Sequence, residues 1–306
     1  MSLDVRRMLI LEQVAAVGSL TAAASALHLT VSAVSQQIAQ LEREAGQPLV
    51  LRGPRGVSLT PSGRIVAEHA ASVRMLVSAT ERELRDLEGL QSGSLRLGTI
   101  PTVTESFLPD AISAFRSAHP GVALSVHSAQ ISELRGMFLA REVELAVMWE
   151  RESEHLEQEQ PLVTTPLRED PSVLLVPADH PAASRPSVRL EEFAHEHWII
   201  RASPQVRAVL RDACEQAGFE PVVSFEARGY QEVQAMVAIG MGVALVPTLS
   251  LATLRGDVRA LQLTPHAPAR RIVLVQRRRA RLSPAAAEMA RVLRVVAAAY
   301  EPVGRG

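Results

Sequence analysis

Lysine is missing from this chain; every one of its basic side chains is an arginine. That excludes a Schiff-base lysine, a lysine general base and a phosphate-loop lysine. A genome rich in arginine codons explains the bias without a functional cause. Cysteine is nearly absent, with Cys214 alone. No internal disulfide, cysteine-cluster zinc site or intramolecular two-thiol switch can form, which suits a reducing cytoplasm. Cys214 falls on an expected helix, 204–217, and reads as a packing residue. Aromatics make up only 3% of the chain, against the stacking platforms of single-strand-binding proteins. No apolar run reaches about 18 residues, so no membrane-spanning helix is expected. The opening MSLDVRRMLILEQVAAVGSL has the outline of an export signal. Glu12 and Gln13 interrupt its apolar run, and no clean small-residue cleavage site follows. The expected location is the cytoplasm.

Strong net charge is also lacking: the chain carries −1 overall. Residues 1–64 hold six arginines against four carboxylates, a mild positive bias that does not by itself point to nucleic acid. The usual catalytic signatures are missing or incomplete. There is no G-x-S-x-G. His195-Glu196-His197 lacks the helical H-E-x-x-H spacing of a zinc site and reads as a solvated loop. Gly240-x-Gly242 precedes a strand instead of following one, and lacks the full dinucleotide fingerprint. The arginines at 277–279 and 281 read as a solvated turn. No metal, cofactor or catalytic residue is expected.

What is present is a long, apolar-rich chain: 306 residues, 47% hydrophobic. This is enough for about two domains with real cores. Leu3 to Val17 reads as an amphipathic helix with Met8, Leu11, Val14 and Ala15 on one side, stopped by Gly18. Ser19 or Thr21 caps a short second helix, 22–27. Thr30 or Ser32 caps a third, whose apolar Val34, Ile38 and Leu41 are spaced four and three apart. Gly46 ends it. Two short extended runs, 49–51 and 57–59, joined by Gly53-Pro54-Arg55-Gly56, read as a hairpin.

From Pro61 a long helix carries Val66, Ala70, Val73, Val77, Thr80, Leu84 and Leu87 at alternating spacings of four and three. That is a heptad seam held for three heptads, suited to pairing with a second copy. Glu81/Arg85 and Arg82/Asp86 fit its exposed faces. Gln91-Ser92-Gly93-Ser94 is a linker. Beyond it strands and helices alternate: strands at 95–100, 122–127, 143–149, 172–176, 222–226, 243–246 and 270–276, helices at 105–119, 132–141, 204–217, 230–239 and 284–300. Such alternation implies βαβ units and parallel sheet.

Three short helices followed by a hairpin make a winged helix-turn-helix, in which the third helix enters the major groove by its N-terminal end. Short polar side chains are needed there to meet base edges, and Thr30, Ser32, Ser35, Gln36 and Gln37 supply them. Gln can bond adenine twice, and Ser can donate or accept. Arg52 and Arg55 flank the hairpin tip, placed for phosphate or the minor groove. The N–H groups near Ser19 and Thr21 can hold another phosphate.

The stretch GSLTAAASALHLTVSAVSQQIAQLEREAGQPLVLRGPRGVSLTPSG resembles the N-terminal signature of LysR-type transcriptional regulators. The paired alanines of the second helix, the S-x-x-I-x-x-L-E run, the glycine after it and the closing L-T-P-S-G carry the match. Weaker resemblance continues through SLRLGTIPT, FLPDAISAFRSAHPGVAL and AIGMGVALVP. The resemblance implies a winged helix-turn-helix over residues 1–62 and a linker and dimerisation helix over 63–91. It also implies an α/β effector domain over 92–306, two-lobed like type 2 periplasmic binding proteins. Lobe I would take about 92–165 and 267–306, lobe II about 166–266. It implies double-stranded operator DNA as partner, a small-molecule effector, and dimers that pair into tetramers. The chain departs from the family at Val31, where glutamine is common, at Gln36, where arginine is common, and at Glu144, where aspartate is common. The base preference of relatives therefore does not carry over.

In open α/β sheets ligands sit at the carboxyl ends of strands. That points to Pro101, Thr102 and Thr104 after the first strand of the α/β half, to Ser128 after the second and to Trp149 after the third. The helix start at 102–105 offers N–H groups to a carboxylate. Arg201, Ser203, Arg228 and Pro247 are expected from the other lobe, and either arginine favours an anionic effector. A solute-binding protein is the competing reading of the two-lobed half, undercut by the missing export signal and some 90 residues in front. An α/β enzyme with a helical appendage is undercut by the missing nucleophile, metal or cofactor motif.

Overall fold

A computed structural model describes residues 3–53, 56–86, 93–278 and 282–302, without the side chains of residues 52, 79 and 81–86. The chain folds as two compact units, residues 1–87 with 139–142 and residues 88–138 with 143–306. In the first, α1 (Val5–Val17), α2 (Leu20–Ala26) and α3 (Val31–Ala45) precede the hairpin β1 (Val50–Gly53) and β2 (Gly56–Leu59) and the long α4 (Pro61–Asp86). The ends are set locally. Asp4, Ser19 and Thr30 cap the three short helices by accepting N–H bonds from Arg7, Ala22 and Ala33. Gly18 and Gly46 end α1 and α3 in the left-handed conformation, where glycine carries no Cβ penalty. Leu11, Val14, Val34, Ile38, Leu41, Leu49 and Ala70 share a fully buried core. Burying each of the larger side chains contributes roughly 1.5–3 kcal/mol.

The wing is tied to this core by backbone contacts. Glu42, at the end of the L-E run, accepts from the N–H groups of Leu49 (2.8 Å) and Val50 (3.2 Å). Val57 donates to the Gly18 carbonyl at 3.0 Å. Gly63 passes so close to the wing that a Cβ there would lie 2.0 Å from the Leu49 carbonyl oxygen.

The second unit begins with β3 (Gly93–Thr99), α5 (Pro101–Thr104), α6 (Leu108–Ala118), β4 (Val122–Ser128), α7 (Ile131–Leu139), β5 (Leu145–Trp149), α8 (Glu150–Glu157) and β6 (Leu162–Pro177). It continues through β7 (Ser187–Val188), β8 (His197–Arg201), α9 (Pro204–Gln216), β9 (Val222–Ala227), α10 (Tyr230–Ala238), β10 (Ala244–Pro247), β11 (Val258–Leu263), β12 (Ala269–Arg277) and α11 (Pro284–Ala299). The strand order is β4-β3-β5-β12-β6-β11-β7, with β10 also on β6, while β8 and β9 form a separate pair.

Two long antiparallel strands join the lobes. Residues 162–171 of β6 pair with β12, whereas residues 172–177 pair with β10 and β11. The pairing therefore changes lobes at 171/172 rather than at 165/166. Lobe I is filled by Phe107, Phe115, Phe138, Val147, Leu274 and Leu293. Lobe II has a core around Trp198, Leu174 and Val243, and another around Ile199, Val233 and Val246.

Several expected elements differ. The helix expected at 105–119 is the shorter α6, from Leu108, with Pro109 in its first turn; the one-turn α5 precedes it, and Phe107 between them is buried in the core. Parallel pairing holds for β3 with β4 and β5, and for β8 with β9. The pairs made by β12, and those of β10 and β11 with β6, are antiparallel, which the expectation of βαβ units and parallel sheet did not include. The unforeseen α8, with sequence ERESEHLE, buries one apolar residue, Leu156, beside Glu152 and Ser153, so it offers no apolar period. The strand β8 is also unforeseen; its first residue, His197, belongs to a stretch whose composition reads as loop. Among the described residues no single helix is long and apolar enough to cross a membrane.

Candidate functional site

The first surface is the N-terminal end of α3. One face of this helix is bound into the core through Val34, Ile38 and Leu41, so the opposite face must project. Ser32 and Gln36 stand exposed on it, and Val31, 43% exposed, sits at the start of the helix in line with the buried stripe. Ser32 and Gln36 are one turn apart, which puts both on the same side. The turn into α3 is tight: His28 adopts φ +53°, and Leu29 donates to the Ala24 carbonyl at 2.9 Å.

The other nominated residues differ in role. Ser19 and Thr30 are engaged as caps, at 3.3 and 3.1 Å, and Thr30 shares a hydrogen bond with Ser32 at 3.0 Å. Thr21 is exposed and Ser35 half-buried. Gln37 accepts from Arg7 Nε at 3.1 Å, and Arg7 also pairs with Glu44, so α1 holds this side chain. Arg7 carries no sequence signal for this role, because the sequence does not show that α1 crosses α3. Arg55 and the side chain of Arg52 lie outside the described residues.

The heptad seam divides. Ala70 is fully buried and Val66 packs against the winged-helix core, so both face inward in the protomer. Arg74 holds α4 to α1 through Glu12 at 2.8–3.0 Å. Farther along, Val73 is half-buried, while Thr80 and Val77 are exposed, Val77 at 49%. Leu76, at 47%, joins Val77 in an exposed apolar pair. Leu87 and the side chain of Leu84 lie outside the described residues.

The second surface is a cleft between the lobes of the second unit, whose empty space of about 570 Å³ is open to solvent. It brings together Pro101, Thr102, Trp149, Arg201, Ser203 and Arg228. Thr104 and Ser128 bond each other at 3.1 Å and line a separate groove beside α6 and β4. Pro247 is buried, its carbonyl accepting from Ser250 Oγ at 2.7 Å. The expected helix start at 102–105 is only the four-residue α5, with Pro101 at its head. It offers little dipole for a carboxylate. Glu144 lies beside Arg96, with Nε to Oε1 at 4.0 Å.

No sequence pattern marks the cleft's most constrained residue. Arg270, on β12, donates to Asp170 at 2.7 Å and to Thr102 Oγ1 at 2.8 Å, and lies over the Trp149 ring at 4.7 Å. Asp170 is fully buried and also accepts from Thr248 Oγ1 (2.8 Å) and Leu249 N–H (2.9 Å). A buried charge is tolerated when paired and hydrogen-bonded in this way. Tyr230 and Gln130 add to the polar lining, also unforeseen. They come from α10 and the turn before α7, and only tertiary contact brings them together. Burial pushes the Cys214 thiol up to about 12, so it is neutral near pH 7.

Comparison with known proteins agrees with both surfaces. Residues 5–64 match the model of the bacterial regulatory helix-turn-helix proteins of the lysR family, and residues 88–298 match the LysR substrate binding domain. The transcriptional regulator AlsR of Bacillus subtilis is 31% identical over 74% of this chain and 74% of its own length. A hydrogen peroxide-inducible genes activator of Dickeya chrysanthemi is 28% identical over 83% of each. Among solved structures, a full-length OxyR variant from Pseudomonas aeruginosa superposes with TM-score 0.68 at 21% identity, covering 98% of both chains. Full-length CbnR with its target DNA gives 0.56 at 19%, covering 96% of this chain and 100% of that one. With a projecting third helix in one unit, a two-lobed cleft in the other and family models spanning both, the chain belongs to the LysR family of transcriptional regulators.

Proposed function

We propose that the chain acts in the cytoplasm as an oligomeric, non-catalytic switch on its operator DNA. Val31, Ser32 and Gln36 would read bases, and the inter-lobe cleft would receive the effector. The observation that carries the reading is the N-terminal end of α3: Ser32 and Gln36 are exposed on the side opposite a fully buried stripe, and Val31 is exposed at the helix start. In the major groove Gln36 would bond an adenine edge, and the Val31 methyls would meet a thymine methyl. Thr30 and Ser19 would hold the helix ends toward phosphates, with Arg52 and Arg55 on the backbone or minor groove. The functional partition we infer is 1–62 for reading, 63–91 for linking, and 92–306 for the effector. Its lobes would divide at 171/172 and ahead of Ala269, where the pairing of β6 and β12 changes.

The outer part of the seam, from the half-buried Val73 to the exposed Val77 and Thr80 and beyond, would pair two copies, while Val66 and Ala70 serve the protomer's own core. Two reading heads would then face a partly palindromic site. The cleft side chains are suited to holding a ligand. Thr102 Oγ1 accepts from Arg270, and Ser203 Oγ bonds Gln205 at 2.8 Å, so neither hydroxyl sits on a base. A thiol-based peroxide response, which the names of some relatives suggest, is disfavoured: Cys214 is fully buried and its thiol is held protonated.

Footprinting on the DNA upstream of the gene tests the reading. Selective protection that Ser32→Ala with Gln36→Ala shifts or weakens, by roughly 1–3 kcal/mol per lost base contact, supports it. An unchanged site preference in that double variant removes α3 as the reader.

A further inference from the structure

The cleft's charges are unevenly partnered. Arg270 is neutralised by Asp170, but the other two arginines have no carboxylate among the described residues. Arg201, at the end of β8 in lobe II, donates through Nη1 to the neutral amide oxygen of Gln130, in lobe I. Its Nε is buried with no hydrogen-bond partner, and its guanidinium lies 5.7 Å over the Tyr230 ring. The backbone N–H of Arg228 is taken by Glu232 at 2.9 Å, while its guanidinium has no partner among the described residues. Glu105 is the one carboxylate among the described lining residues. With Arg270 and Asp170 cancelling, the lining carries one excess positive charge. Ile100, Ile131, Trp149 and Tyr230 supply apolar wall.

We propose that this cleft takes a monocarboxylate with a compact apolar body, whose carboxylate takes Arg201 over from Gln130 and so releases the hydrogen bond joining the two lobes. The inference rests on the reading of the cleft as the effector site. A carboxylate wins over the amide for two reasons. Its full negative charge adds a Coulomb attraction to the guanidinium that the neutral amide oxygen lacks. Its second oxygen can also bond the neighbouring Nη2, since the guanidinium presents Nη1 and Nη2 in a fork that a carboxylate matches and a single amide oxygen does not. Arg228 then adds the second cation, and the apolar body lies on the Trp149 and Tyr230 side. The Arg201–Gln130 contact is thus both a recognition group and a latch, and occupancy of the cleft is read as loss of one inter-lobe bond.

The test is calorimetric titration and thermal shift of the full chain with 3-methylbutanoate and phenylacetate, their amides, and inorganic phosphate. The acids are expected to bind and the amides and phosphate not to. Arg201→Gln and Arg228→Gln should each weaken the acids by roughly tenfold or more, the scale of one hydrogen bond to a charged group. Gln130→Ala should tighten them severalfold, because nothing remains to be displaced. The unliganded melting temperature of each variant separates lost binding from lost folding. Equal binding of acids and amides, a shift reproduced by phosphate, indifference to Arg201→Gln, or no binding by any acid overturns the proposed ligand class. Weaker acid binding in Gln130→Ala overturns the latch, since the amide would then be a ligand contact. Trp149→Ala tells the two levels apart. If a neutral probe binds and loses binding in that variant, the cleft reading stands and the carboxylate claim falls. If acids bind and are unmoved by it, the cleft reading itself falls.

Discussion

Replacing Asp170 with asparagine removes one charge from the junction of the lobes and keeps the side-chain shape. The amide oxygen of the substituted side chain can still accept from Thr248 and Leu249, at the positions now held at 2.8 and 2.9 Å. What is lost is the counter-charge of Arg270, whose side chain is only 11% exposed. Breaking a buried pair from one side costs roughly 3–5 kcal/mol. Arg270 keeps its bond to Thr102 and its place over Trp149, so the lower end, about 3 kcal/mol, applies. At roughly 2–4 °C per kcal/mol for a domain of this size, the melting temperature should fall by about 6–12 °C. Arg270→Met strands the carboxylate instead, and the double variant strands neither group. The double variant should therefore be more stable than the two single losses add up to, by about 2 kcal/mol. Urea unfolding followed by tryptophan fluorescence reads this directly, because Trp149 and Trp198, the two tryptophans of the chain, both lie in the second unit. A single variant within about 0.5 kcal/mol of the parent, or losses that simply add, would refute the claim that the pair braces the crossing strands.

Gly63→Ala should destabilise the first unit by roughly 1–3 kcal/mol, since its Cβ would meet the Leu49 carbonyl oxygen at 2.0 Å; circular-dichroism melting of the chain checks it, and an unchanged melt would show that the wing can shift freely. Leu76→Glu with Val77→Glu should break the oligomer and spare the protomer fold, because both side chains are exposed, at 47% and 49%; light scattering that still finds an oligomer would place the interface elsewhere. Cys214 should resist alkylation near pH 7 until the chain is unfolded. Its thiol is raised to about 12, so the reactive thiolate is scarce below that pH and grows only as pH approaches it. Fast labelling of the native chain would falsify the buried assignment.

The first unit was legible from the sequence because its signals are local. Gly18, Ser19, Thr30 and Gly46 each act within a few residues, and Val34, Ile38 and Leu41 recur at the helical period. The heptad stripe was legible as a period, but a period does not say what it packs against; Ala70 and Val66 serve the winged-helix core. In the second unit most strands and helices were legible, but of β6 only the apolar end, at 172–176. Its polar first half, LVTTPLRED, is strand because β12 pairs with it. Of nine nominated cleft residues, the strand-end rule and the resemblance together put Pro101, Thr102, Trp149, Arg201, Ser203 and Arg228 on its walls. Thr104, Ser128 and Pro247 follow strands equally well, yet they face a groove or the interior, because strand order in the sheet, and not strand position in the chain, decides which ends meet.

By itself the sequence determined the helix-turn-helix and its caps, the projecting polar face of α3, the family and the absence of an intramolecular thiol switch. All of these rest on residue identity and short spacing. The tertiary structure decided which arginines matter and how. Arg270 and Asp170 stand 100 residues apart in the chain, and Arg201 and Gln130 stand 71 apart. No local pattern relates them. Only the crossing of β6 and β12 and the facing of the two lobes bring one arginine onto a buried carboxylate and leave another on a neutral amide. That difference in partner makes the first a brace and underlies the proposal that the second receives a ligand.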